Sequence, residues 1–360
     1  MTFVAYRLAP ASGLERATVD LVRQLADVGP VTVIVLRGQP DTVFEPQLRH
    51  AEVITGFAAL RRARRAMRSG APLVVCGLWA AASLVVIAAV RLRRPNDAAV
   101  IHWEHSLLPQ RLDHDRRLGH VLRLGRSSIA RSRAIVCVSE GVAKAVRELP
   151  FSGGIPVSVV PNMITVTERP RPKSTARPHD GDPNRVVMVL GIGSLRTLKN
   201  YELAVRALAE LPPQFHLTLL GDGPERVALQ RLSEQLGVEA RTTFAGHVED
   251  VGCYLEHADL LVHPSRAETF GLSILEAAAY DVPVITLDVA ALDEIVPRFA
   301  PGVRVQVPEP REFAAAILAL SKPGSIDPSC FNLARHARER EFQADTTVAA
   351  WVGILAGVRR

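Results

Sequence analysis

At 360 residues, 48% of them hydrophobic and 22% charged, the chain is longer than one hydrophobic core usually serves and shows no compositional mark of disorder, so two globular domains are expected. The formal net charge of +6 hides an asymmetry: residues 1–173 hold 25 Lys+Arg against 13 Asp+Glu, a net of +12, and residues 174–360 hold 18 against 24, a net of −6. The four cysteines, Cys76, Cys137, Cys253 and Cys330, form no CxxC pair, which argues against a disulfide framework or zinc site; Cys76 and Cys137 lie in apolar runs and read as buried thiols of a reducing compartment.

The opening segment MTFVAYRLAP lacks a basic stretch followed by a long apolar one, so no secretory signal is expected. From there strands and helices alternate. A strand at Thr2–Tyr6 leads through a Ser12-Gly13 turn into an amphipathic helix at Glu15–Val28, and Val31–Leu36 forms the next strand. The run Ala71–Val90 has 20 uncharged residues between Arg68 and Arg91, long enough for a membrane helix. A strand at 72–76, a turn at Gly77 and a buried helix at 80–92 fit it better, because parallel strands covered on both faces read as continuous apolar runs. A strand at 98–103, a helix near 117–130 and a strand at Ala134–Val138 follow. Ser139 suits the N-cap of a helix at Gly141–Glu148, since its hydroxyl can accept from a first-turn amide. Val157–Val160 is the last strand before Pro161-Asn162. Arg61, Arg62, Arg64, Arg65 and Arg68, with Arg91, Arg93 and Arg94, contribute to the N-terminal excess of positive charge. They form either a solvated Arg-rich surface or a face for anionic partners such as lipid headgroups or a phosphorylated acceptor. No zinc finger or aromatic RNP pattern supports a nucleic-acid partner.

Residues 169–184 (RPRPKSTARPHDGDPN) are rich in proline and polar residues and read as a linker. The alternation then restarts: strand Val186–Leu190, helix Asn200–Leu211, strand His216–Leu220, helix 224–236, strands 242–244 and Asp259–His263, helix 271–280 and strand Val282–Leu287. The fold class is therefore α/β, with two doubly wound Rossmann-like domains at 1–168 and 185–340, and a C-terminal helix at 341–360 that packs back on the first domain. Ligands of such sheets bind beyond the carboxyl ends of the strands, which places the site in a cleft across which the domains face each other.

The sharpest chemical signal is at 263–288, HPSRAETFGLSILEAAAYDVPVITLD. A strand ends at His263, a loop carries Glu268, Thr269, Phe270 and Gly271, and a helix follows with Glu276 inside it. Strand, glycine-containing loop and helix N-terminus together make an anion site, with free amides and the helix dipole aimed at the ligand, and a diphosphate is the natural occupant. Glu276 lies on a mainly apolar segment. Either it is buried and satisfied by donors such as sugar hydroxyls, or it faces solvent or pairs with an arginine. His102 and His105 fall on opposite faces of an extended strand, so they do not share a metal ion. His105 is either a site residue or a strand-end histidine satisfied by backbone. GIGSLR and GDGPER are each weak fragments of glycine-rich phosphate loops.

Glu268 and Glu276 are spaced as in the E-x7-E motif of the retaining GT4-type glycosyltransferases, and the surrounding Pro-Ser, Glu-x-Phe-Gly, Leu-Glu-Ala and Pro-Val-Ile runs resemble that family. Further similar segments are Gly193-Ser194-Leu195 with Lys199-Asn200, Gly221-Asp222-Gly223-Pro224, Gly246-His247-Val248, the Ser12-Gly13 loop, IHWEHS at 101–106, Ala134–Ser139 and Val-Pro-Asn at 160–162. The resemblance implies the GT-B fold, a retaining and metal-independent reaction, and a nucleotide-sugar donor as co-substrate without a cofactor. It implies that Glu276 binds the ribose hydroxyls and that Glu268 contacts the donor sugar. The amides of Phe270, Gly271 and Leu272 would hold the diphosphate beside Thr269, and Lys199 would neutralise it. Gly193, Gly221 and Gly223 would line the donor loops, and His247 and Val248 would face the base. Ser12 and Gly13 form the N-terminal glycine loop, and His105 lies beside the donor sugar. Ser194 replaces the family arginine, so one cation is either missing or supplied by Arg196. Ser12, Met163, Asp281 and Ala290-Ala291 also depart from family glycines, differences expected to bear mostly on substrate details. The Asp-x-Asp matches at 113–115 and 180–182, a metal pattern of the other glycosyltransferase fold, follow no apolar strand and read as chance.

The implied activity is transfer of a sugar, UDP-linked by default, to a hydroxyl of an acceptor glycan, lipid-linked sugar or small molecule, in cell-envelope glycan or natural-product biosynthesis. The chain is expected in the cytoplasm, with its basic N-terminal domain against the inner face of an anionic membrane. Two rival readings are a nucleotide-sugar epimerase on the same scaffold and a non-catalytic sugar-nucleotide-binding protein.

Overall fold

A computed structural model describes residues 1–5, 8, 13–68, 71–76, 99–106, 132–149, 152–164, 185–322 and 324–358. The helices expected at 80–92 and 117–130, the linker, Ser12, both Asp-x-Asp matches and Arg91, Arg93 and Arg94 lie outside the described residues. The chain divides into two compact units, one formed by Met1–Met163 with Phe342–Arg360 and the other by Ile164–Glu341.

The first unit holds seven strands: β1 Thr2–Ala5, β2 Thr32–Val35, β3 Glu52–Thr55, β4 Leu73–Cys76, β5 Val100–Glu104, β6 Ala134–Cys137 and β7 Val157–Val159. They pair in parallel in the order β3-β2-β1-β4-β5-β6-β7. β1, β2, β4 and β6 are buried along their whole length, as strands covered on both faces must be. β4 accounts for the start of the long apolar run, and no helix among the described residues is long and apolar enough to cross a membrane. β3 and the helix directly after it are absent from the sequence pattern. β3 is a four-residue edge strand with Glu52 and Val53 exposed, too short and too polar for a period to show. The helices are α1 Gly13–Val28, which starts two residues earlier than expected, α2 Gly56–Arg68 and α3 Glu140–Arg147. Ser139 caps α3, its Oγ accepting from the Val142 amide at 3.3 Å. Cys76 and Cys137 are buried free thiols, and burial pushes each up to about 12.

The C-terminal helix Ala344–Val358 belongs to this unit. It is anchored by Trp351, fully buried, whose ring lies 6.3 Å from Phe3 and 5.1 Å from Trp103. Truncating a buried indole of this kind to alanine costs about 3–5 kcal/mol.

The second unit has β8 Val187–Ile192, β9 Phe215–Leu220, β10 Thr242–Gly246, β11 Leu260–His263, β12 Val284–Leu287 and β13 Gly302–Val305. The sheet order is β10-β9-β8-β11-β12-β13, all parallel. Its helices are α4 Tyr201–Ala209, α5 Arg226–Gln235, α6 Leu272–Ala279, α7 Pro310–Leu320 and α8 Pro328–Glu341, with a single turn at Gly252–Leu255. Val189, Leu217, Leu219, Val262 and Ile285 from the sheet pack with Phe313 and Ile317 of α7. β8 pairs with β9 on one side and β11 on the other, so the winding reverses between β8 and β11. The carboxyl ends of those two strands are where ligands of this topology bind.

α6 ends in a Schellman turn. The Val282 amide donates to Ala277 O at 3.0 Å and the Asp281 amide to Ala278 O at 3.1 Å, with Asp281 in the left-handed region at φ 54°. Arg335 of α8 donates to both Asp281 carboxylate oxygens at 3.0 Å. Asp281 is therefore a helix cap locked to α8, which corrects the expectation that this departure from glycine bears on substrate details.

Candidate active site

Three loops knit together beyond the ends of β8, β9 and β10. The Gly193 amide donates to Leu220 O at 2.9 Å, the Leu195 amide to Asp222 O at 3.0 Å and the Gly221 amide to Gly246 O at 2.6 Å. Gly221 has φ 130°, and a Cβ there would lie 2.1 Å from the Gly193 carbonyl oxygen. Backbone packing alone thus demands a glycine in GDGPER, whatever the loop binds. Gly193 and Gly223 belong to the same knot. Ser194 is half-buried, whereas Arg196 is exposed and pairs with no carboxylate among the described residues. His247 is exposed and Val248 half-buried just after β10. Lys199 closes a single turn, and Asn200 follows at φ 54° before α4 begins. That conformation suits asparagine or glycine and little else, a physical reason for the residue type at this position.

Lys199 reaches across to Glu268. Its Nζ lies 2.6 Å from Glu268 Oε2, and the same oxygen accepts from His263 Nε2 at 2.9 Å. The Thr269 amide donates to Oε1 at 3.0 Å. Burial opposes the charge on Glu268, but the Lys199 ammonium and the His263 N–H outweigh it and hold the carboxyl well below the usual carboxylate range. Burial and then Lys199 lower His263, so its imidazole is neutral. Its other nitrogen, Nδ1, lies 3.3 Å from Ser273 Oγ.

Gly271 sits at φ 76° in front of α6, a left-handed corner that only glycine makes without strain. It turns the chain into α6, whose first two amides, of Leu272 and Ser273, have no preceding turn to bond to, while the Ile274 amide donates to Gly271 O at 3.0 Å. Thr269 and Leu272 are half-buried and Phe270 is buried. Glu276, in the middle of α6, is 4% exposed, which overturns the alternative that it faces solvent. Tyr201 at the start of α4 is buried, its hydroxyl has no hydrogen-bond partner among the described residues, and burial followed by the charge of Glu268 raises its pKa. An open hollow of about 420 Å³ bordered by Asn200, Arg266, Asp288 and Gln306 adjoins this region, and none of Lys199, Glu268 and Glu276 lines it.

In the first unit, Gly13 is the exposed first residue of α1. His105 follows β5, packed edge-on against Trp103 with centroids 4.4 Å apart. Its Nε2 has no hydrogen-bond partner among the described residues, and burial lowers the imidazole to about 3. Glu104 Oε1 accepts from the His105 amide at 3.1 Å, the Ser106 amide at 2.8 Å and Ser106 Oγ at 2.5 Å, which fixes the turn carrying the imidazole. His102 is buried, and burial lowers it to about 4. Among the described residues no His/Cys/Asp/Glu cluster of three or more could hold a metal ion.

The structure thus joins Lys199, Glu268 and Thr269 directly. His263, Ser273, Tyr201 and Glu104 were not legible as site residues. Only the HPS run drew attention to His263, and its bond to Glu268 depends on how the intervening loop folds back.

Two family profiles match, and each covers one half of the chain: Glycosyltransferase Family 4 over residues 11–168 and Glycosyl transferases group 1 over residues 173–340. The chain belongs to the GT4-type glycosyltransferases. It is 28% identical over 222 residues to the lipopolysaccharide core biosynthesis glycosyltransferase LpsE of Rhizobium meliloti, covering 62% of this chain and 64% of that one. It is 26% identical over 254 residues to the N-acetyl-alpha-D-glucosaminyl L-malate synthase of Bacillus anthracis, covering 69% and 65%. The alignments therefore span just under two thirds of these curated relatives. The crystal structure of Anabaena Alr3699/HepE in complex with UDP and glucose superposes with a TM-score of 0.79 at 21% identity, over 99% of this chain and 98% of that one. The two doubly wound units of this GT4 chain are those of the GT-B fold.

Proposed function

We propose that this chain transfers a sugar from a UDP-sugar to an acceptor hydroxyl, with retention at the anomeric carbon and without a metal ion. The observation that carries the reading is the Lys199–Glu268–His263 cluster at the mouth of β11, directly before the left-handed turn at Gly271 and the first turn of α6. The α6 amides offer a seat for the diphosphate, and Lys199 adds a compact positive charge. Both act most strongly as charge accumulates on the departing nucleotide. Glu268, already ionised, offers its carboxylate to sugar hydroxyls, and Glu276 offers a buried carboxylate to the ribose. The acceptor oxygen attacks the anomeric carbon on the face the diphosphate leaves. The new glycosidic bond forms as the bond to the diphosphate breaks, and the departing phosphate takes the hydroxyl proton.

Support for UDP comes from the similar Anabaena structures with UDP and glucose and with UDP-glucose. The lipopolysaccharide core relative and the basic first half favour an envelope glycan or lipid-linked sugar as acceptor, reached in the cytoplasm at an anionic membrane face. Calorimetry with UDP, GDP, ADP and dTDP tests the reading. UDP should bind most tightly, and Glu276→Ala should weaken it at least about tenfold. No nucleotide binding by the folded wild type, or unchanged binding in the variant, would reject the donor-site assignment.

A further inference from the structure

His263 ends β11 with 1% of its surface exposed, and both of its ring nitrogens are engaged. A carboxylate only accepts hydrogen bonds, so the proton of the neutral ring sits on Nε2 and points at Glu268, while Nδ1 accepts from the Ser273 hydroxyl. Ser273 is the second residue of α6. One short chain of hydrogen bonds therefore runs from the first turn of α6, through an immobile imidazole, to the carboxylate of Glu268. The same Oε2 also takes the Lys199 ammonium at 2.6 Å. The two donors differ in kind. Lys199 is a flexible cation, 23% exposed, and free to turn toward an incoming anion; His263 is uncharged and locked in the strand.

We propose that His263 is a positioning residue that keeps Glu268 oriented and charged once Lys199 has been drawn to the donor diphosphate. This inference rests on the donor-site reading above. A diphosphate competes with Glu268 for Lys199, and without a second donor the carboxylate would be left buried and under-satisfied, at a cost large enough to move it. The His263 N–H, together with the Thr269 amide, holds it in place for the sugar. The tether through Ser273 sets the distance between the carboxylate and the helix end that seats the phosphates.

The test compares wild type with His263→Leu, which removes the donor, and His263→Gln, whose side-chain N–H can reach the place of Nε2. UDP affinity is measured by calorimetry, and turnover as UDP released from UDP-glucose in water. UDP affinity should fall by at most about tenfold in His263→Leu, because UDP already draws Lys199 off a carboxylate that has lost its second donor, and should stay within about threefold in His263→Gln. Turnover should fall further, about 30-fold or more in His263→Leu and in kcat more than in KM, because the sugar that Glu268 meets is present only there, and His263→Gln should recover most of it. Ser273→Ala removes the bond to Nδ1 at a half-buried position and should lower turnover about three- to tenfold, which serves if His263→Leu fails to fold. Wild-type turnover in His263→Leu, or in Ser273→Ala if the leucine variant does not fold, would overturn the inference and leave the donor reading intact. So would parallel loss of UDP binding and turnover in a folded His263→Leu, the mark of a merely structural residue. Failure of the wild type to bind UDP or UDP-glucose would overturn both.

Discussion

Two histidines stand at the ends of parallel strands in this chain, and they are held in opposite ways. His263, closing β11 in the second unit, has both nitrogens engaged and shares its carboxylate partner with Lys199. His105, just past β5 in the first unit, packs on Trp103 and leaves Nε2 with no partner among the described residues. Both are neutral, since burial lowers each. The Lys199–Glu268–His263 cluster thus has its charges already paired, whereas the His105 Nε2 in the first unit is a buried polar atom with no hydrogen-bond partner among the described residues. Preorganised charge favours a fixed, charged ligand. An orphaned nitrogen favours a neutral group, such as a hydroxyl, that arrives with the substrate.

The comparison breaks most visibly at Lys199. Lys199→Met removes the only cation bonded to Glu268 among the described residues and should lower kcat/KM for the donor about 10²–10³-fold in steady-state kinetics. A loss below about threefold would mean that the cluster is structural.

Acid sharpens the contrast in the first unit. Folded, His102 stays neutral down to about 4 and His105 to about 3, while in the unfolded chain both take up protons below about 6.5. The unfolded state then binds more protons, so stability is fully present above about pH 6.5 and is lost as the pH falls toward 4. His102 alone accounts for about 3 kcal/mol of that loss at pH 4. Urea midpoints at pH 7 and pH 4.5 should differ more in wild type than in His102→Leu; equal differences would contradict the buried neutral state. For the same reason, no pH–rate transition near 6.5 should disappear in His105→Ala.

The smallest effect is expected at the cap of α6. Asp281→Gly relieves the left-handed strain but loses the Arg335 pair, so thermal unfolding should change by less than about 1 kcal/mol. A larger loss would show that Arg335 dominates.

Much of the fold was legible because it rests on local rules. Continuous apolar runs mark β4 and β6, Ser139 marks a helix start, and the pattern at 263–288 marks the strand, loop and helix that carry Glu268 and Glu276. The edge strand β3 was not legible, since its polar exposed start mimics a loop, nor was β13, a four-residue strand in which only Val305 is buried and Val303 is exposed. Within the site, the residue types were readable but their partners were not. Nothing in the spacing pairs Lys199 with a carboxylate 69 residues away, or points His263 back at a residue five positions on. Asp281 shows the converse, a residue that looks like a substrate-side substitution until the turn geometry reveals a cap.

The most direct test of the central claim is a crystal structure with UDP bound. The account predicts the diphosphate at the first turn of α6, Lys199 Nζ moved from Glu268 onto a phosphate oxygen, Glu276 on the ribose, and Glu268 still bonded to His263. UDP seated away from α6, or a diphosphate bound there with the Lys199–Glu268 pair unbroken, would contradict it.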